Sequence, residues 1–159
     1  LGSGGAARAA IQGLLELKLA EIHVISRNSQ SLQNILSDFS NDTKINGIIY
    51  NNNQSQYLIE NSDVIVNSTP VGMKNQSNQY NLLPFGNNFW ASLKSHTIIY
   101  DLIYNPRPTA LLKFGLEKNC ITIDGLEMLV AQGAKSLSYW TNGLEVPIEV
   151  MKESLKNSL

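Results

Sequence analysis

Leu1-Gly2-Ser3-Gly4-Gly5-Ala6-Ala7-Arg8-Ala9-Ala10 opens the chain, and a glycine-rich turn running straight into an alanine-rich helix is what a backbone needs to approach a phosphate. Gly2 takes the tight turn off a strand, Gly4 lets main-chain N–H groups come close to a pyrophosphate, and Ala7 is small enough for the helix to lie against a sheet. The first turn of that helix offers unpaired N–H groups and the positive end of its dipole. Glycine-rich turns also precede helices that bind nothing, so the GxGxxA spacing alone leaves both readings open. Leu1 takes the place of the last residue of the strand that should precede the turn. In a doubly wound sheet that strand is central and buried on both faces. Each buried Val, Leu or Ile contributes about 1.5–3 kcal/mol, against a whole-domain stability of roughly 5–15 kcal/mol. Residues 1–159 alone are therefore expected to be marginally folded, as a fragment lacking most of its first strand.

The 159 residues carry 12 Lys and Arg against 13 Asp and Glu, a net charge of -1, with 43% hydrophobic residues. That is one ordinary globular domain with scattered lysines, and it has neither a basic field for nucleic acid nor a patch for a membrane surface. The single cysteine, Cys120, excludes an internal disulfide and a cysteine-rich zinc site, and reads as a small core residue in a reducing compartment. No metal site is expected. No apolar run approaches the roughly 20 residues of a membrane span, and no signal peptide is visible, so the expected location is cytoplasmic.

Outward from the opening turn, Ala6, Ala7, Ala10, Ile11, Leu14, Leu15 and Leu17 keep helical spacing, with Lys18 as a cation near the end. Residues 21–25 read as a short buried strand ending at Ser26-Arg27-Asn28; His23 inside it reads as structural. The end of this second strand is where a dinucleotide fold reads the adenosine ribose, and an acidic side chain there accepts from the 2′-hydroxyl of NAD. Here the residue is Arg27, 25 residues after Gly2. Its planar, permanently charged fork suits a 2′-phosphate, with Ser26 and Asn28 as auxiliary donors, so the sequence leans to NADP; a solvated surface arginine is the alternative.

Ser29 or Ser31 is the expected cap of the next helix, where Leu32, Ile35, Leu36 and Phe39 recur at i, i+3, i+4 and i+7. A weaker third strand covers 45–50, and the polar tract Asn51-Asn52-Asn53-Gln54 reads as a surface loop. Residues 63–67 form a buried strand running into Ser68-Thr69-Pro70-Val71-Gly72-Met73, the ligand side of an open α/β sheet, where Asn67 and Thr69 would face ribose or nicotinamide. A long polar loop over 74–88 is anchored by Phe85, Phe89 and Trp90. Another buried strand spans 96–102 and breaks at Asn105-Pro106-Arg107-Pro108. Thr109 caps a helix over 110–118, weakened by Gly115 and closed by Asn119. A last strand, 121–124, leads through Gly125 into an apolar helix interrupted by Gln132.

Gly2-Ser3-Gly4-Gly5-Ala6-Ala7-Arg8-Ala9, Ser26-Arg27-Asn28, Asn67-Ser68-Thr69-Pro70-Val71-Gly72-Met73, Asp101-Leu102-Ile103-Tyr104-Asn105-Pro106-Arg107-Pro108-Thr109 and the run Asp124-Gly125-Leu126-Glu127-Met128-Leu129-Val130-Ala131-Gln132-Gly133-Ala134 together resemble the shikimate dehydrogenase family. The resemblance covers nearly the whole chain and includes the tail from Trp140 through Met151. It implies an α/β, Rossmann-like, doubly wound parallel sheet with helices on both faces and its first strand largely missing. Residues 1–139 would bind NADP, and residues 140–159 would be a helical segment packing toward an N-terminal substrate domain. It further implies a cytoplasmic, two-domain enzyme that reversibly reduces 3-dehydroshikimate to shikimate with NADPH in aromatic amino-acid biosynthesis.

By the motifs, Gly2, Ser3, Gly4, Gly5 and Ala6 would hold the pyrophosphate. Ser26, Arg27 and Asn28 would hold the 2′-phosphate, joined by Ser31 where the family often carries a second arginine. Thr69, Leu102 and Gly125 would line the nicotinamide side, and Tyr104 and Gln132 would reach the substrate. The family's catalytic lysine and aspartate belong to the domain preceding Leu1, so no catalytic residue is assigned here; Lys74, Lys94 and Lys113 lie outside the matching motifs, and this chain alone is expected not to turn over substrate. The alternatives are a quinate-acting relative, one domain of a fusion carrying the preceding dehydratase step, and, in another class, a non-catalytic NADP-binding module. A homodimer is the assembly considered, with no nucleic-acid or membrane partner.

Overall fold

The computed structural model describes residues 1–17, 19–74 and 81–158. Lys18 and residues 75–80 of the loop expected over 74–88 lie outside them. The element order is α1 (Gly5–Glu16), β1 (Ile22–Ser26), α2 (Ser29–Asp38), β2 (Ile45–Ile49), α3 (Asn52–Glu60), β3 (Val64–Asn67), a 3₁₀ turn (Asn87–Trp90), β4 (Ile98–Asp101), α4 (Ala110–Glu117), β5 (Ile121–Ile123), α5 (Leu126–Trp140) and α6 (Ile148–Ser158). All strand pairs are parallel: β1 with β2, and β4 between β3 and β5. Strand, helix and parallel strand in alternation are the expected α/β architecture.

Two short ladders become one sheet through Leu1 and Gly2. The Leu1 nitrogen donates to the Val66 carbonyl at 2.6 Å, and the Ser68 amide donates to the Leu1 carbonyl at 3.0 Å. The Gly2 amide donates to the Ile25 carbonyl at 2.9 Å. Leu1 and Gly2 thus occupy the central position of the order β2-β1-(Leu1–Gly2)-β3-β4-β5, the arrangement of a doubly wound dinucleotide fold.

Period-two alternation divides the core. Ile22 and Val24 of β1 pack with Ala7 and Ile11 of α1 and Leu32 and Ile35 of α2. Ile25 faces the other way, into a cluster with Ile59 of α3, Ile65, Ile99, Phe89, Trp90, and Leu111 and Leu112 of α4. Helices therefore cover both faces. Phe89 and Trp90 are buried, and the Trp90 indole donates to the Pro84 carbonyl at 2.8 Å, so these aromatics anchor the loop as expected. Cys120 is a buried core residue.

Two expectations are corrected. The tract 51–54 is not a loop but the start of α3: the Asn51 side chain accepts from the Gln54 amide at 2.9 Å, the geometry of an N-cap. The helix was hard to see because its buried face is made by Ser55 and Ile59, one polar and one apolar residue at i and i+4. The cap of α2 is neither Ser29 nor Ser31 but Asn28, whose side-chain oxygen accepts from the Ser31 amide at 2.8 Å. Thr109 does cap α4, accepting from the Leu112 amide. The helix α5 ends on Trp140. No helix among the described residues is long and apolar enough to cross a membrane.

Between the amino halves of β1 and β3 lies a cleft of about 430 Å³ lined by Ala7, Ile11, Ile22, Val24, Val64 and Val66.

Candidate functional site

The carboxyl ends of β1 and β3 flank the glycine turn. Gly2 has φ 99°, a left-handed conformation that favours glycine, and a Cβ there would lie 2.9 Å from the Ser68 hydroxyl and 3.2 Å from the Thr69 methyl. The turn is thereby pressed against the loop after β3. Gly4 is the N-cap of α1 and supplies no side-chain cap, so the first-turn amides keep their donors. A Cβ built on Gly4 or Gly5 meets nothing within 4 Å, so the space before those amides is open. Ala6 is exposed beside them, while Ala7 is buried against β1.

Behind this opening the hydroxyls pair with one another. The Ser3 hydroxyl is 2.8 Å from that of Ser26 and 2.7 Å from that of Ser31; Ser26 also accepts from the Asn28 amide, and Ser31 donates to the Asn28 carbonyl. Ser3, Ser26 and Ser31 thus weld the glycine turn to the end of β1 and the start of α2. Arg27 is left exposed at the rim. Of the three arginines, Arg8 pairs with Asp38 at 2.5 Å and Arg107 with Asp124 at 2.7 Å. Among the described residues Arg27 has no carboxylate partner.

On the other side of the turn, Asn67 does not face a ligand. It is fully buried at the end of β3, its amide donating to Asp101 Oδ1 at 2.9 Å, and its oxygen accepts from both the amide and the hydroxyl of Thr69. Asp101, fully buried at the end of β4, also accepts from the Ile103 amide and from the Thr109 hydroxyl at 2.7 Å. Burial pushes the Asp101 carboxyl above its ordinary value, against the pull of its hydrogen bonds, and the charge of Asp124 adds to the rise. This pair was not singled out in the sequence. Its signal was there: two polar residues in register, each ending an apolar strand at the same edge.

The Asn67–Asp101 pair fixes the turns that carry Thr69, Leu102 and Tyr104. Gly125 packs so tightly on one of them that an added Cβ would lie 2.1 Å from the Leu102 carbonyl oxygen. Leu102 and Tyr104 are half-buried on that turn, and Gln132 is exposed on α5. His23 lines the cleft between β1 and β3, away from this edge. Among the described residues no His, Cys, Asp and Glu cluster could hold a metal ion.

An open helix N-terminus beside a glycine turn, at the point where strand order reverses, with an unpaired arginine at the next strand end, defines a dinucleotide-binding α/β domain. Residues 125–156 match the model of the shikimate 5′-dehydrogenase C-terminal domain. The whole chain is 60% identical to the shikimate dehydrogenase (NADP+) of Prochlorococcus marinus (strain MIT 9312), covering 56% of that protein. Among solved structures, quinate dehydrogenase from Corynebacterium glutamicum in complex with NAD superposes with a TM-score of 0.80 at 25% identity, over 99% of this chain and 53% of that one. A shikimate dehydrogenase in complex with NADP+ gives 0.74 at 31% identity, over 99% and 52%. The chain is similar to shikimate dehydrogenases along its whole length, and it spans about half the length of the curated relatives it matches.

Two outcomes follow from the geometry. Gly125→Ala should cost about 1–3 kcal/mol in urea unfolding through overpacking against Leu102, while Gly4→Ala, with open space, should cost under about 1 kcal/mol. A carboxyl whose folded pKa is raised favours folding when protonated and loses that contribution as pH rises from its unfolded value, near 4, through its folded one. The stability of Asp101→Asn relative to the parent should therefore improve between pH 4 and pH 7, read from urea midpoints at each pH. A constant difference would place the Asp101 pKa at its unfolded value.

Proposed function

We propose that this chain is the cofactor-binding side of a shikimate dehydrogenase that reversibly reduces 3-dehydroshikimate to shikimate with NADPH. Arg27 carries the reading: an exposed arginine with no carboxylate partner among the described residues, at the strand end that borders the open amides of α1. A guanidinium left unpaired there suits the 2′-phosphate that distinguishes NADP from NAD, and the 60% identical Prochlorococcus protein carries NADP+ in its name.

In this reading Gly2, Ser3, Gly4, Gly5 and Ala6 present main-chain donors to the pyrophosphate. Arg27, with Asn28 beside it, takes the 2′-phosphate, while Ser26 and Ser31, engaged with Ser3, hold the loop in shape. Thr69, Leu102 and Gly125 form the wall beside the nicotinamide, which supplies the hydride when bound. Tyr104 and Gln132 orient a polyhydroxylated acid through a hydroxyl and an amide, neither of which competes for the transferred proton. No catalytic acid or base is assigned within the chain.

Residues 1–139 form the NADP-binding unit, and 140–159 turn an apolar face toward a substrate domain; exposed Trp140, Leu144 and Val150 support this. A homodimer is supported by the apolar edge that Leu116, Ile121 and Ile123 leave exposed on α4 and β5. A cytoplasmic setting suits the one free cysteine. A second reading, quinate with NAD, is favoured by the superposition on quinate dehydrogenase.

Cofactor titrations separate the two. With NADP as the cofactor, NADPH should bind more tightly than NADH, and Arg27→Ala should raise the NADPH Kd roughly tenfold or more, the worth of a charge-assisted contact, with the NADH Kd within about twofold of the parent. An unchanged NADPH:NADH ratio removes Arg27 from this role and favours the NAD reading.

A further inference from the structure

Phe85 lies in the segment between β3 and β4, far in sequence from the motifs above, and its backbone is left-handed, with φ 63°. Bulky residues rarely adopt that conformation unless their surroundings impose it. Here they do. The Phe85 carbonyl accepts from the Tyr50 hydroxyl at 3.3 Å, and its ring lies 4.8 Å from that of Tyr50 and 4.9 Å from that of Phe89. Phe89 in turn meets the buried Trp90 edge-on at 5.0 Å. The ring is therefore fixed from one side by an aromatic stack rooted in the core, and the Arg27 guanidinium lies over it, 6.0 Å from the centroid.

The kind of contact matters more than its strength. Arg8 and Arg107 are each held by a carboxylate, which positions a guanidinium but also neutralises it and occupies its donors. An aromatic face positions the same group through its quadrupole and leaves both the charge and the N–H donors for an incoming anion. We infer that Phe85 is the positioning residue for Arg27, holding the guanidinium at the rim without satisfying it, and so is a determinant of the preference for NADPH over NADH. This rests on the reading of Arg27 as the 2′-phosphate ligand.

The test compares Phe85→Leu, Phe85→Tyr and Arg27→Ala in the full chain, titrating each with NADPH and with NADH and recording its thermal unfolding. Phe85→Leu keeps apolar bulk and removes the π face, so it should raise the NADPH Kd about two- to fivefold, the scale of an exposed cation–π contact, and leave the NADH Kd unchanged. Phe85→Tyr should restore the parent ratio. A purely structural role would weaken both cofactors alike and follow the loss of thermal stability. If Arg27→Ala abolishes the preference while Phe85→Leu leaves the ratio intact, the role of Phe85 is overturned and the cofactor reading stands. If Arg27→Ala leaves the ratio unchanged, the cofactor reading falls and this inference with it.

Discussion

Everything at the carboxyl edge of the sheet hangs on a few hydrogen bonds to two residues. Leu1 donates to Val66 and accepts from the Ser68 amide and hydroxyl, while Gly2 donates to Ile25. Without them the β1–β2 and β3–β5 ladders share no main-chain rung among the described residues. The same two residues set the start of α1, because the left-handed turn at Gly2 aims the chain out of the sheet and into the helix. The seam that unites the sheet is thus also the device that points the open amides of α1 into the crevice beyond the strand ends. It can do both because the strand order reverses there, which opens a crevice between the two diverging loops.

The charges are arranged around that opening by subtraction. Arg8, one turn into α1, could have competed for an anion, but Asp38 on α2 draws it aside. Arg107 is tied to Asp124, which joins the turn after β4 to the end of β5. The serine hydroxyls nearest the turn are consumed by one another. Paired groups of this kind give structure rather than affinity, since exposed ion pairs contribute little net stability and offer no spare donors. Arg27 is the exception, held by a ring instead of an acid.

Much of this was legible in the sequence because it rests on local rules. The Gly2-to-Ala7 spacing, the apolar runs of β1, β3 and β4, the Thr109 cap and the aromatic anchor at Phe89 and Trp90 follow from period, backbone freedom and side-chain bulk. Arg27 was visible because its distance from Gly2 is set by one helix and one strand. What escaped was nonlocal or hidden by composition. Asn51 looked like one asparagine in a polar tract until its side chain was seen to cap α3. Asn67 looked like a ligand group because it stands at the ligand end of a strand, yet its partner, 34 residues away, turns it inward. Phe85 gave no sign of reaching Arg27, since the contact depends on how a loop folds over the sheet.

The Asn67–Asp101 pair shows why a buried polar group is kept where an apolar one would be cheaper. Burying a carboxyl costs free energy that its hydrogen bonds only partly return, and two apolar residues in register would pack the strand ends with no such penalty. Apolar side chains, however, have no direction. Asp101 accepts from Asn67, Ile103 and Thr109 at once, and Asn67 passes the constraint on to Thr69. Two loops and the start of α4 are thereby locked to one point, beside the Leu102 carbonyl on which Gly125 rests. Hydrogen bonds supply the directionality that fixes loops bordering a crevice. The hydrogen bonds that Asp101 accepts are what set the direction of both loops.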